Sequence, residues 1–319
     1  MLYYFVVFVV LLGVELLYFR VANYFNIIDK PNERSSHSRI TLRGGGIVFY
    51  VGALVYFVIS GFSFPWFMLG LTLIAGVSFV DDVRSVTQRV RLVVHFMAML
   101  LMFYQWGMLA LPWWYVVVAL VVCTGIINAY NFMDGINGIT GGYSLVAMLA
   151  LWGIDAWILP IAPTGFIPVI ILSLFVFNFY NFRSRAKCFS GDVGAISMAF
   201  IILFLLGNFI IPTGHVSVLI FLAVYGIDGV LTIIHRILLK ENIGQPHRKH
   251  LYQLLANEGK FPHLSVSLIY MGVQAIVNVG YLLVLVYAPE RTLMYFMIAL
   301  VVLLVVYLPL RRKFYALRG

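Results

Sequence analysis

Asn128-Ala-Tyr-Asn-Phe-Met-Asp-Gly-Ile-Asn-Gly-Ile-Thr-Gly-Gly142 lies between two apolar runs, 113–129 and 139–159, each near the ~20 residues that a bilayer core asks of a helix. Its three Asn, one Asp and four Gly would be costly at membrane depth, so they need a reason to be there. On a helix end, Asn128, Asn131 and Asp134 follow at i, i+3 and i+6, which turns three oxygen-bearing side chains roughly one way. The glycines beyond them let backbone approach a ligand and leave N–H groups for an anion. A hard cation and a phosphate suit such a stretch. Read alone, it serves equally as a glycine-rich turn whose Asn side chains cap helix ends.

The flanking runs belong to a series. Of the 319 residues, 63% are hydrophobic and 10% charged, against roughly 25% charged in a soluble domain. With a mean hydropathy of +1.00, the chain reads as an all-α polytopic membrane protein. About eleven transmembrane helices are expected, near 2–19, 46–62, 64–80, 92–111, 113–129, 139–159, 166–182, 194–211, 216–236, 264–288 and 293–310. Residues 1–319 form one integral membrane domain in this reading, without an internal repeat or a low-complexity tract.

The net charge of +9 would suggest a nucleic-acid partner in a soluble protein, but here its distribution excludes that reading. Twenty of the 21 Lys and Arg fall in alternate connections and only Arg291 falls on the other side. That asymmetry puts the N-terminus outside and the C-terminus in the cytoplasm. The six Trp (66, 106, 113, 114, 152, 157) gather toward the outer helix ends, as half of an aromatic belt would. The first run has no basic lead and no small-residue cleavage site, so it is expected to be a retained helix. Cys123 and Cys188 form neither a disulfide framework nor a metal pattern and are expected to pack.

Other polar clusters fall on the cytoplasmic connections. Asp29 to Gly46 forms a basic loop with three glycines before a helix, suited to anionic lipid or to an anion. Asp81 and Asp82 are adjacent and must repel, so a cation is expected beside them, from Arg84, Arg89 and Arg91 or from a metal. Asp192, between Gly191 and Gly194, is an N-cap candidate or a carboxylate aimed into the cytoplasmic mouth. Asp228, Thr232 and His235 make a polar stripe suited to an interhelical network. His247, Arg248 and His250 fit phosphate contact better than a transition metal, since no Cys or third His stands near. The last two helices carry almost nothing polar and read as packing or lipid-facing.

Asp-Asp-Val-Arg, Asn-Ala-Tyr-Asn-Phe-Met-Asp-Gly-Ile-Asn-Gly, Ser-Gly-Asp-Val-Gly and His-Arg-Lys-His, in that order, resemble the polyprenyl-phosphate N-acetylhexosamine-1-phosphate transferases of glycosyltransferase family 4. The likeness spans roughly residues 1–255, including the early Asp-Lys-Pro-Asn-Glu-Arg segment. It implies transfer of a sugar 1-phosphate from a UDP-N-acetylhexosamine to undecaprenyl phosphate, with magnesium (or manganese) and release of UMP. This would be the first step of a surface glycan, made at the cytoplasmic face of a bacterial inner membrane, with a homodimer as a possible assembly. By matched motif, Asn131 and Asp192 would hold the metal, while Asp81, Asp82, Asp134, His247 and His250 would serve the chemistry. Arg91, Asn128, Asn137 and Arg248 would contact substrate, with Asn137 facing uracil. Many bacterial relatives carry Asp where this chain has Asn137, although the eukaryotic dolichyl branch also has Asn. The interrupted histidine motif separates the chain from the muramoyl-pentapeptide branch. A secondary transporter is the rival class, but such sites sit near the midplane, where only Asp228 and Glu15 are expected here.

Overall fold

The computed structural model describes residues 2–31, 36, 39–242 and 247–317. Most of the polar stretch Asn32 to Ser38 and the Gly244-Gln245-Pro246 lead into the histidine motif lie outside them. The chain opens with α1 (Leu2–Tyr24) and a small antiparallel pair, β1 (Ile28–Asp29) and β2 (Thr41–Leu42). There follow α2 (Ile47–Ile59), α3 (Pro65–Val83), α4 (Gln88–Gln105), α5 (Trp113–Met133), α6 (Ile139–Trp157), α7 (Phe166–Asn181) and α8 (Gly191–Thr213). The rest is α9 (Ala223–Leu238), a short α10 (Leu251–Asn257), α11 (His263–Tyr287) and α12 (Thr292–Ala316).

Each predicted apolar run lies on one of these helices, and α10 is the one helix without a run of its own. Among the described residues, eight helices are long and apolar enough to cross a membrane. Two more, α2 and α7, are apolar but shorter, and α4 opens on Gln88, Arg89 and Arg91. The helices α3 and α5 run beyond their apolar runs, which places Asp81, Asp82 and Asn131 on the helix ends.

At the centre stands α8, with 83% of its span buried, whereas α12 is 6% buried and turns outward. Lipid gives helices no hydrophobic reason to associate, so close approach through small residues matters. Gly46 at the mouth of α2 and Gly194 on α8 meet so tightly that a Cβ on either would run into the other's backbone. Residues 188–190 extend the small sheet: Phe189 N–H donates to Leu42 C=O (2.8 Å), and Gly45 and Gly46 N–H donate to the carbonyls of Phe189 (2.9 Å) and Ser190 (3.0 Å). Those glycine N–H groups are therefore spent on the fold and are not open to an anion.

The expectation that α11 is nearly apolar is overturned by Ser267, Gln274 and Asn278, all buried. The chain before α9 winds as a 3-10 segment and leaves backbone groups without helix partners. Gln274 supplies them, accepting from Val224 N–H (3.0 Å) and donating to Ile220 C=O (2.9 Å).

Candidate active site

The end of α3, the start of α4, the end of α5 and the start of α8 converge at one end of the bundle, opposite the helix ends that carry the tryptophans. There a polar cavity of about 190 Å³ is lined by Arg43, Asn131, Asp134, Asn137, Asp192 and Gln253, among others.

Asp82 holds the start of α8. Its buried carboxylate accepts the backbone N–H of Asp192 (2.9 Å) and of Val193 (3.0 Å), two of the four donors that a helix start leaves open. The first residue of that helix, Gly191, has φ +70°, and a Cβ there would collide with Asp82 and with the Gly44 backbone (2.5 and 2.7 Å). Asp192 is thus the second residue of α8 and not its cap, and the carboxylate that does the capping comes from α3.

Freed from capping, Asp192 faces two arginines. Arg43 spans Asp82 (2.6 Å) and Asp192 (3.0 Å), and Arg91 spans Asp81 (2.7 Å) and Asp192 (3.2 Å). Asp81 also accepts Val86 N–H (2.6 Å), which closes the turn between α3 and α4. Of the arginines expected beside the Asp81-Asp82 pair only Arg91 is there, because Arg84 and Arg89 point outward. Arg43 went unread at the sequence level as a site residue, although an Arg before three glycines at a helix mouth was a usable signal. Its carbonyl is held by the Tyr18 hydroxyl (2.5 Å).

Three carboxylates against two guanidinium groups leave a surplus of negative charge, and Asp134 adds to it. Burial, with Asp192 and Asp82 close by, pushes the Asp134 carboxyl up to about 7. Asn131 shares the cavity with Asp134, but Asn128 is exposed and outside its lining. Steps of three residues slip by about 60° each on a 3.6-residue helix, so the first of three drifts off the face of the last. Asn137 donates its amide to the carbonyls of Arg183 (2.8 Å) and Ser184 (3.3 Å), and its own carbonyl accepts from Ser267 (2.8 Å). It lies between this cavity and a larger basic one of about 680 Å³ lined by Arg39, Arg185, Lys187 and His263.

The histidine motif stands apart. His247, Arg248 and His250 do not line the polar cavity. The rings of His247 and His250 lie 5.0 Å apart, and Arg248 pairs with Glu258 at 3.8 Å. Burial, with His250, Arg236 and Lys249 nearby, pulls the His247 imidazole down to about 3, so it is neutral near pH 7. Gln253, which sequence reasoning passed over, is the member of this segment that reaches the cavity.

The donors that could hold a metal are oxygens, among them the Asp192 and Asp134 carboxyls and the Asn131 amide, and among the described residues the lining has no Cys or His. That set fits a hard cation such as Mg²⁺, which takes one or two carboxylates and completes its shell with water and substrate phosphate. Among the described residues no group of three or more His, Cys, Asp or Glu is placed to hold a metal on its own.

Residues 64–209 match the model of glycosyl transferase family 4. The chain is 28% identical over 278 residues (79% of this chain, 76% of the relative) to the probable undecaprenyl-phosphate N-acetylglucosaminyl 1-phosphate transferase of Bacillus subtilis. It is 26% identical over 292 residues (82% and 78%) to the undecaprenyl-phosphate alpha-N-acetylglucosaminyl 1-phosphate transferase of Yersinia pestis. The Escherichia coli K12 protein of the same description is 25% identical over 293 residues (82% and 78%).

Proposed function

We propose that this chain, a glycosyl transferase family 4 protein through residues 64–209, transfers a sugar 1-phosphate from a UDP-N-acetylhexosamine to undecaprenyl phosphate and releases UMP, so priming a surface glycan. The observation that carries this reading is the cavity where Asp192, Asp134 and Asn131 meet two arginines, on a membrane protein whose relatives bear that activity in their names. The same reading takes the eleven long helices as eleven crossings, with the N-terminus outside and the cavity facing the cytoplasm of a bacterial inner membrane. The one-sided Lys and Arg support that orientation.

A phosphate monoester has a second pKa of about 6, so the acceptor phosphate is mostly dianionic at neutral pH. One of its oxygens attacks the sugar-bearing phosphorus of the donor, the bond from that phosphorus to the bridging oxygen breaks, and UMP leaves with the electron pair. No strong base is needed, and the Asp134 carboxyl beside the cavity can take the residual proton of a monoanionic acceptor. What the protein must do is bring two anions together in line. Arg43, fixed by Asp82, lines the cavity, and Arg91, fixed by Asp81, pairs with Asp192 at its edge, so both can offset phosphate charge. Magnesium, held by Asp192 and Asn131, would neutralise the diphosphate and stabilise the leaving UMP. Asn137, which lines both the polar and the basic cavity, would meet the nucleobase in this reading.

Sealed inverted and right-side-out vesicles, given sugar-labelled UDP-GlcNAc and undecaprenyl phosphate, test both parts of this reading. Labelled lipid and UMP should appear with magnesium in inverted vesicles alone. No labelled lipid with any UDP-N-acetylhexosamine would refute the activity, and labelling confined to right-side-out vesicles would refute the orientation.

A further inference from the structure

On the transferase reading above, we infer that Asp228 is a positioning residue that sets α10 as a wall of the polar cavity and acts through His250, Tyr252 and Gln253. Asp228 sits in α9, fully buried. One of its oxygens accepts from Leu251 N–H (2.9 Å), His250 Nδ1 (3.3 Å), the Thr232 hydroxyl (3.3 Å) and the Tyr307 hydroxyl (2.9 Å). The other accepts from the Tyr270 hydroxyl (2.6 Å) and Tyr252 N–H (3.4 Å). Six donors exceed the roughly four lone-pair sites of a carboxylate, and an amide oxygen would offer them only about two.

Thr232 is on α9 itself and His250 immediately precedes α10; the other four donors come from three further helices: Tyr270 is on α11, Tyr307 is on α12, and Leu251 and Tyr252 open α10. With seven residues, α10 is far below the ~12 that a helix needs to persist alone, so docking decides where it lies. The carboxylate facing His250 Nδ1 places the ring's proton there, and the ring stacks on Tyr252 with centroids 5.8 Å apart.

Two links run from this hub to the cavity. Gln253 lines the cavity beside Asn131 and Asp192, and its side-chain oxygen is tied to His250 N–H (3.3 Å). Tyr252 donates its hydroxyl to Phe132 C=O (2.9 Å), and a Cβ on Gly135 would run into that hydroxyl. The turn carrying Asn131 and Asp134 is thereby clamped from the α10 side. Asp228 touches neither the cavity nor a reacting group and governs both links.

The test combines amide hydrogen exchange with kinetics on the purified protein. In Asp228→Asn, amides of residues 251–253 should exchange at least about tenfold faster while those of α8 keep their protection. Its kcat with UDP-GlcNAc should fall by about tenfold or more at temperatures well below melting. Gln253→Ala should lower kcat/KM in the wild-type background and add little in Asp228→Asn, because both act through one link. Unchanged exchange in α10, or full additivity of the two substitutions, would overturn the proposal. Should Asp228→Asn fail to fold, Tyr252→Phe removes one link alone and should lower kcat several-fold with its melting point kept; an unaltered kcat there counts against the proposal. If the wild-type protein transfers nothing, the transferase reading falls, while the exchange measurement still decides whether Asp228 sets α10.

Discussion

Two buried acids end their neighbours' helices in this molecule, and they are neutralised by opposite means. Asp82 caps α8 with two backbone N–H groups and adds a guanidinium, Arg43. Asp228 caps α10 with two backbone N–H groups and adds hydroxyls and an imidazole. The arginine-bound cluster brings in mobile charge and keeps a surplus of carboxylates facing a cavity, whereas the hydroxyl-bound one closes on itself. Charge left unbalanced marks where a charged substrate belongs, and a carboxylate enclosed by neutral donors marks where the fold is held.

The sharpest way to break that contrast is Asp192→Asn. It retains an oxygen for only one of Arg43 and Arg91, which bind separate oxygens of Asp192, and it removes the charge that a hard cation prefers, so turnover should fall by about a thousandfold while the melting midpoint in detergent falls much less than in Asp82→Ala. Turnover measured against magnesium concentration, beside a melting curve, decides it; activity lost only in step with stability would make this cluster as architectural as the other.

Asp82→Ala should do the reverse in emphasis. It leaves two N–H groups of α8 unpaired and deprives Arg43 of its buried partner, at a cost of about 3 kcal/mol, read as a drop in the melting midpoint. A midpoint equal to that of Asp192→Asn would show that the two carboxylates are not divided into cap and ligand.

The smallest effect expected is at the rim of the second cluster. Since the folded state holds His247 near 3 and an unfolded chain near 6.5, the unfolded state binds the extra proton between those values. Stability should therefore be undiminished by this group above about 6.5 and be lost progressively as pH falls toward 3. The melting midpoint of the wild type should drop by a few degrees more than that of His247→Gln between pH 7 and pH 5; equal drops would mean that His247 is charged or exposed in the folded protein.

Much of the fold was legible in the chain because a membrane imposes one rule on every segment: backbone must be satisfied within it. Each apolar run therefore announced a helix, eight of them long and apolar enough to span among the described residues, and α10 escaped notice because a seven-residue helix outside the apolar region carries no such signature. Ser267, Gln274 and Asn278 in α11 were passed over for a related reason. Three polar residues scattered in a long apolar helix read as background until the 3-10 segment that Gln274 satisfies is seen beside it.

The candidate site divides along the same line. Residue chemistry alone singled out Asp81, Asp82, Asn131, Asp134 and Asp192, since carboxylates and amides beside membrane-length runs are expensive enough to stand out. Which acid caps and which faces the cavity was beyond it, because the capping N–H groups lie about a hundred residues away in sequence from Asp82 and next to Asp192. Local sequence thus left Asp192 open between cap and cavity. Only the packed bundle, by crossing α3 against the start of α8 and laying Arg43 between them, assigned Asp82 to the helix and left Asp192 to the cavity.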